Sequence, residues 1–317
     1  MIVAFLGNCC LLILGLIILI KGADIFVEGA SGIAKKFHIP QIIIGLTIVA
    51  FGTSAPEAAV SISAGIKGTS GIAVGNILGS NIMNILLILG IASCITALQV
   101  QESTRKFEIP FMLLVTVALL GMGVFQKELN KISGLILWGL FILFFVYLIR
   151  QAKKGNTEED AAAANIGYKK GAGVLALMTL AGLAAIVLGS NFTVDGASYI
   201  AKTLGMSDRI IGLTIVAFGT SLPELLTSVM AAKKGKCDIA IGNIVGSNLF
   251  NILFVLGTTS LIVDIPFGSE YLIDNIIAIG AVLLLMVGIQ RKKALTRTGG
   301  IAMLVSFVVY YAYVIMK

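Results

Sequence analysis

Ten stretches of this chain run for about twenty residues or more with hardly a charge inside them. They fall at 3–34, 41–66, 71–97, 107–126, 132–150, 171–202, 209–232, 238–262, 271–290 and 298–316. A hydrocarbon layer about 30 Å thick takes roughly 20 apolar residues per helix, so each stretch is long enough to cross a bilayer. Backbone amides in lipid have no water to bond, which leaves helices or closed barrels as spanning structures. Barrel strands alternate apolar and polar residues, and these runs do not. The expectation is an all-α polytopic membrane protein of about ten helices. With 58% hydrophobic residues, 12% charged and a mean hydropathy of +1.02, the chain is not a soluble domain. No basic residue precedes the first apolar run, so it reads as a retained helix, not a cleaved leader.

The net charge of +7 raises nucleic acid as a partner, but its distribution argues for topology instead. Sorted by side, Lys and Arg divide about 16 to 6. The richer side holds Lys35, Lys36, Arg105, Lys106, Arg150, Lys153, Lys154, Lys169, Lys170, Lys233, Lys234, Lys236, Arg291, Lys292, Lys293 and Arg297. Lys67, Lys127, Lys131, Lys202, Arg209 and Lys317 are on the other. The richer side is expected to be cytoplasmic, with both termini extracytoplasmic in a multi-pass cell-membrane protein. The polar stretch 151–170 is then a cytoplasmic linker between halves at 1–150 and 171–317. Four scattered cysteines and the lone His38 have no metal-ligand spacing and read as incidental.

The halves repeat each other. Gly22 to Gly90 aligns without gaps on Gly189 to Gly257, with 39 of 69 residues identical at an offset of 167. GLTIVAFGTSAPE from Gly45 pairs with GLTIVAFGTSLPE from Gly212, and GNILGSNIMNILLILG from Gly75 with GNIVGSNLFNILFVLG from Gly242. Five spans separate each segment from its copy, so the copies cross in opposite directions. Inverted repeats of this kind build secondary transporters, with the substrate site near the midplane between them. A mere packing scaffold would keep apolar residues and let polar ones drift. Here Thr, Ser, Pro, Glu and Asn persist.

Glu57 and Glu224 lie in the middle of apolar spans, where an ionisable group is costly and marks function. Each follows Gly-Thr-Ser-X-Pro, and the proline must kink or break the helix near Thr53 and near Thr220. Carbonyls around Ala50 and Ala217 are expected to be released there. Thr53, Ser54 and Glu57 fall within one turn, as do Thr220, Ser221 and Glu224. Ser80 with Asn84, and Ser247 with Asn251, share helix faces in the following spans. Gly79 and Gly246 allow close helix approach. Carboxylates, hydroxyls, amide oxygens and carbonyls make an all-oxygen site, which suits a hard cation such as calcium. Asp24, Glu28 and Asp195 are weaker candidates, for an interfacial or ion-guiding role.

The twin GTSxPE segments, each followed by GSNxxNI, resemble the α-repeats of the cation/calcium exchanger superfamily, most of all its sodium/calcium exchanger branch in the small prokaryotic form. The resemblance covers nearly the whole chain. It implies two inverted five-helix repeats, with the first and sixth helices as a mobile pair beside a bundle of eight. It implies Glu57 and Glu224 as central calcium ligands. Thr53, Ser54, Thr220, Ser221, the carbonyls of Ala50 and Ala217, Ser80, Asn84, Ser247 and Asn251 would complete calcium and sodium sites. Proton-coupled relatives typically carry Gly-Asn-X-X-Glu where this chain has Gly-Thr-Ser-X-Pro-Glu, which favours sodium. Some relatives, including potassium-dependent ones, have Asp where this chain has Asn251, so potassium dependence stays open. The function expected is sodium/calcium antiport by alternating access, by a chain acting as a monomer. No cofactor is expected, and the partners are the two ions and the bilayer. Proton- or potassium-dependent exchange is the alternative and a cation channel a remote one. An intramembrane enzyme is disfavoured, since no span holds a histidine to pair with serine.

Overall fold

The structure is a computed structural model and describes residues 2–66, 71–153, 170–205, 217–290 and 293–316. Among these, eight helices are long and apolar enough to cross a membrane. They are α1 (Ala4–Lys36), α4 (Ile72–Ile95), α5 (Thr104–Gln126), α6 (Lys131–Lys153), α7 (Ala172–Thr203), α10 (Cys237–Ile262), α11 (Tyr271–Ile289) and α12 (Arg297–Val314). A bent pair, α2 (Gln41–Thr53) and α3 (Ala55–Ile66), meets at 50° and makes a ninth if the two count as one span. The seventh expected span, 209–232, appears as α8 (Ala217–Thr220) and α9 (Leu222–Lys233), and its residues 209–216 lie outside the described ones. So does most of the linker, 154–169. Helix α5 begins earlier than its apolar run, because a π-helical turn at Thr104–Glu108 carries Arg105 and Lys106 into the helix.

Helices α4 and α10 form the centre, and α10 is buried at every residue from Ile239 to Phe250. Its glycines set that position. A Cβ on Gly242 would stand 2.9 Å from the Ile42 carbonyl, and one on Gly246 would stand 2.7 Å from that of Leu46. Backbone thus lies on backbone between α10 and α2. At Gly79 the residue that the repeat matches to Leu46 is Leu213, which lies outside the described residues.

Helices α1 and α7 pack on each other along their length. Gly15, Gly22 and Gly29 recur every seventh residue on α1, and their copies Gly182, Gly189 and Gly196 do so on α7. Gly15 abuts Thr193, Gly22 abuts Ile186, and Gly29 abuts Thr179, so the two copies run antiparallel. Their outer faces are apolar and exposed, as at Ile17, Ile25, Leu177 and Leu188.

Two short antiparallel pairings tie the halves together, and the sequence reading did not foresee them. Strand β1 (Leu98–Gln99) pairs with β4 (Ala294–Leu295), and β2 (Glu128–Leu129) with β3 (Ile265–Pro266). At the repeat offset β1 becomes β3, and β2 falls on β4 to within a residue. The pairings therefore obey the internal two-fold. The first carries Lys293 to Val100, whose N–H it accepts at 2.9 Å. Cys237, beside Lys236, lies against Ala97 at the same end. The second joins Lys127 to Phe267. Cations that the sequence assigned to one side are thus neighbours at one end.

Candidate ion-binding site

The Gly-Thr-Ser-X-Pro-Glu segments break their helices as expected. Ser54 (φ −82°, ψ 6°) separates α2 from α3, and Ser221 (φ −90°, ψ 3°) separates α8 from α9. Each break puts the glutamate into the first turn of a new helix. There the unpaired amides and the helix dipole favour a negative charge in the interior. Proline removes the donor to the carbonyl four residues back. In the second half that carbonyl, Gly219, is taken by the Ser190 hydroxyl of α7 at 2.8 Å. The carbonyl of Ala50 is not released. It keeps its bond from the Ser54 amide at 3.0 Å and lies 3.3 Å from the Thr53 hydroxyl and 3.4 Å from that of Ser247.

Glu57 and Glu224 are each 1% exposed, and each is held by a serine of the other half. Ser54 donates to Glu224 Oε1 at 2.8 Å, and Ser221 donates to Glu57 Oε1 at 3.4 Å. Ser221 also lies 3.5 Å from Ser80. Thr53 stands 3.0 Å from Asn243 Oδ1. Asn76 and Asn243 brace the new helices alike: Asn76 donates to Ser61 at 3.0 Å and Asn243 to Ser228 at 2.9 Å.

Asn84 and Asn251 begin matching π-helical turns, Asn84–Leu89 and Asn251–Leu256. Such turns often occur at functional sites. Their amides join a quartet. Asn81 and Asn248 donate to each other's backbone carbonyl at 3.2 Å. Asn84 donates to Asn248 Oδ1 at 2.9 Å, and Asn251 to Asn81 Oδ1 at 3.0 Å. With each NH2 committed, the oxygens of Asn84 and Asn251 are turned out of the quartet. Those two oxygens, with Glu57 Oε2 and Glu224 Oε2, are buried and accept no hydrogen bond from any described residue. Four orphaned acceptors, two from each half, suit a cation as their common partner. The donor set holds no sulfur or imidazole, which fits hard cations.

Asn81, Asn248, Asn76 and Asn243 were not singled out in the sequence, although all four persist between the repeats. A further buried acid, Glu108, stands apart from the site and accepts from the Tyr147 hydroxyl at 2.6 Å. Its copy is Asn275, so the two-fold does not extend to it. Asp195 is exposed on α7. Asp24 and Glu28 bind Lys234 and Lys170, each at 2.7 Å.

Comparison with known proteins agrees with this geometry. The family described as sodium/calcium exchanger protein matches residues 8–150 and 174–316, which is nearly all of both halves. The chain belongs to the sodium/calcium exchanger family. The inner membrane protein YrbG of Escherichia coli is 36% identical, over 95% of each chain. The sodium/calcium exchanger MaX1 of Methanosarcina acetivorans is 32% identical, over 96% of this chain and 97% of that one. Among solved structures, the sodium-calcium exchanger NCX_Mj soaked with 2.5 mM Na+ and 10 mM Sr2+ superposes with a TM-score of 0.85 at 32% identity. That match covers 98% of this chain and 99% of the other. As a family member this exchanger is a multi-pass membrane antiporter, not an enzyme, and its ions are cargo.

Proposed function

We propose that this exchanger moves sodium and calcium in opposite directions by alternating access, with Glu57 and Glu224 as ligands shared by both ions. The observation that carries the reading is the set of four buried acceptor oxygens, on Glu57, Glu224, Asn84 and Asn251, that have no hydrogen-bond donor among the described residues. Thr53, Ser54, Thr220, Ser221, Ser80 and Ser247 supply hydroxyls around them, and the carbonyls of Ala217 and, beside its retained helical bond, Ala50 complete the proposed ligand set. Two carboxylates match the charge of one calcium ion. Sodium ions at the same carboxylates displace it, so the two cargoes alternate. Position 251 adds a neutral ligand, because its NH2 donates to Asn81 Oδ1, which a carboxylate could not do. All these groups come from one chain, so the monomer is the proposed unit.

Equilibrium binding tests the shared site. Calcium bound to purified protein should be displaced by sodium at constant ionic strength, with choline as the control. Calcium retention in saturating sodium would contradict shared ligands.

The proposed architecture is ten helices in two inverted five-helix repeats, 1–150 and 171–317, joined by the linker 151–170. Helices α1 and α7 are the proposed mobile pair. Both termini are placed outside, and the ends carrying Lys35 and Lys293 are placed in the cytoplasm. Single cysteines at Asn156 or Lys292, in a cysteine-free background, should resist an impermeant thiol reagent in intact cells. A cysteine at Asn130 should label. Labelling of position 156 from outside would reverse the topology.

A further inference from the structure

A cavity of about 550 Å³ lies between the α1/α7 pair and the bundle. Leu16 and Val194 line one wall, and Leu87, Phe218, Leu222 and Phe307 line the other. The lining side chains are apolar apart from two hydroxyls, on Tyr311 and on Thr193, and Thr193 donates its own to the Gly189 carbonyl at 2.7 Å. Apolar cavities stay dry, and one of about 150 Å³ already holds benzene, so a space this large suits an apolar ligand.

The internal two-fold shows why the space is there. The related place is filled by rings: Phe51 stacks on Phe250 with centroids 4.6 Å apart, Phe250 on Phe254 at 4.7 Å, and Phe141 lies 5.6 Å from Phe254. At the repeat offset Phe51 answers to Phe218, but Phe250 answers to Met83 and Phe254 to Leu87. Phe141 answers to Phe307, because Gly134 and Gly300 abut the carbonyls of Gly257 and Gly90 alike. Two rings of the stack are thus replaced by smaller side chains. The depth selects the ligand. Phe307 lies about 15 Å along α12 from Arg297, and Leu222 directly follows Ser221 at the helix break. That is the middle of a hydrocarbon layer about 30 Å thick, where the surrounding medium is acyl chain. Ile17 and Val308, next to Leu16 and Phe307, are 53% and 65% exposed, so the entrance faces those chains.

We propose that this cavity binds the end of one acyl chain of a bilayer phospholipid, which takes the place of the missing rings and packs α7 against α4, α9 and α12. The site uses no ion ligand, so it does not depend on which ions are exchanged. It backs two segments that carry candidate ligands, since Leu222 lies between Ser221 and Glu224, and Leu87 lies in the π-helical turn that Asn84 begins.

The test is photocrosslinking of the full chain in phosphatidylcholine bilayers, with a diazirine near the end of one acyl chain and adducts located by mass spectrometry. The exposed Leu177 and Leu143 should label, as contact with any surrounding lipid allows. Thr193 and Leu222, each 8% exposed, should label as well. Phe250, also 8% exposed but held in the ring stack, should not. Leu87→Phe, which restores a ring, and Leu16→Trp, at a residue 39% exposed, should each remove the adducts at Thr193 and Leu222 and keep those at Leu177. Labelling of Leu177 without Thr193 or Leu222 in the wild type would overturn the site. So would equal labelling of Phe250, or adducts at Thr193 and Leu222 that persist in both variants.

Discussion

Glu57→Gln and Glu224→Gln are each expected to abolish calcium transport while leaving a folded protein in the membrane. Gln preserves the volume and one oxygen but removes a negative charge. Calcium at the site would then keep one uncompensated positive charge in a dry interior, at a cost of several kcal/mol. The cross-braces make the two variants equivalent in kind, since Ser54 can still donate to the amide oxygen at 224 and Ser221 to that at 57. The protein should therefore unfold near the wild-type temperature. Asn84→Ala and Asn251→Ala should do less to calcium binding, because each removes a neutral ligand. Each also leaves an Asn oxygen of the quartet without its donor, at a cost of about 1–3 kcal/mol in stability. Calcium binding and flux at matched expression check the series. Near-normal flux in both Gln variants would remove the two acids from the ion site.

A comparably large loss of transport is expected from a change that touches no ion ligand. A Cβ on Gly189 would stand 2.5 Å from the Leu19 backbone nitrogen, and rotamer changes cannot relieve a clash with backbone. Gly189→Leu must push α1 and α7 apart or lock their register, and overpacking of this kind costs about 1–3 kcal/mol. If the pair slides against the bundle, flux should fall at least about tenfold, the factor for 1.4 kcal/mol. Equilibrium calcium binding should stay near wild type. Gly139→Leu is the control, since no described atom lies within 4 Å of that Cβ position. Loss of flux and binding together would mean that the substitution damages the site, not the movement.

Much of the site was legible because its signals are local. A proline four residues after a glycine, followed by an acid, specifies a break and puts the acid at a helix start. The repeat offset then doubles every inference. What was not legible depends on orientation and distance. Persistence marks Asn81 and Asn248 as retained, but only packing shows that their amides face each other across the two-fold and turn the Asn84 and Asn251 oxygens outward. The Ala50 carbonyl was expected to be freed. The bend falls one step later, at Ser54, so the helical bond from the Ser54 amide survives. Lys234 reaches Asp24 across 210 residues and Lys170 reaches Glu28 across 142, and no local pattern predicts such pairs. Strands of two residues are too short to leave a periodic signal.

Calcium flux into proteoliposomes under imposed ion gradients tests the central claim most directly. Uptake should follow an outward sodium gradient and saturate with calcium. It should collapse when potassium or choline replaces sodium. A membrane potential should alter the rate if more than two sodium ions exchange for each calcium. Uptake driven equally well by a proton gradient without sodium, or calcium flux needing no counter-ion, would contradict sodium/calcium exchange by this chain.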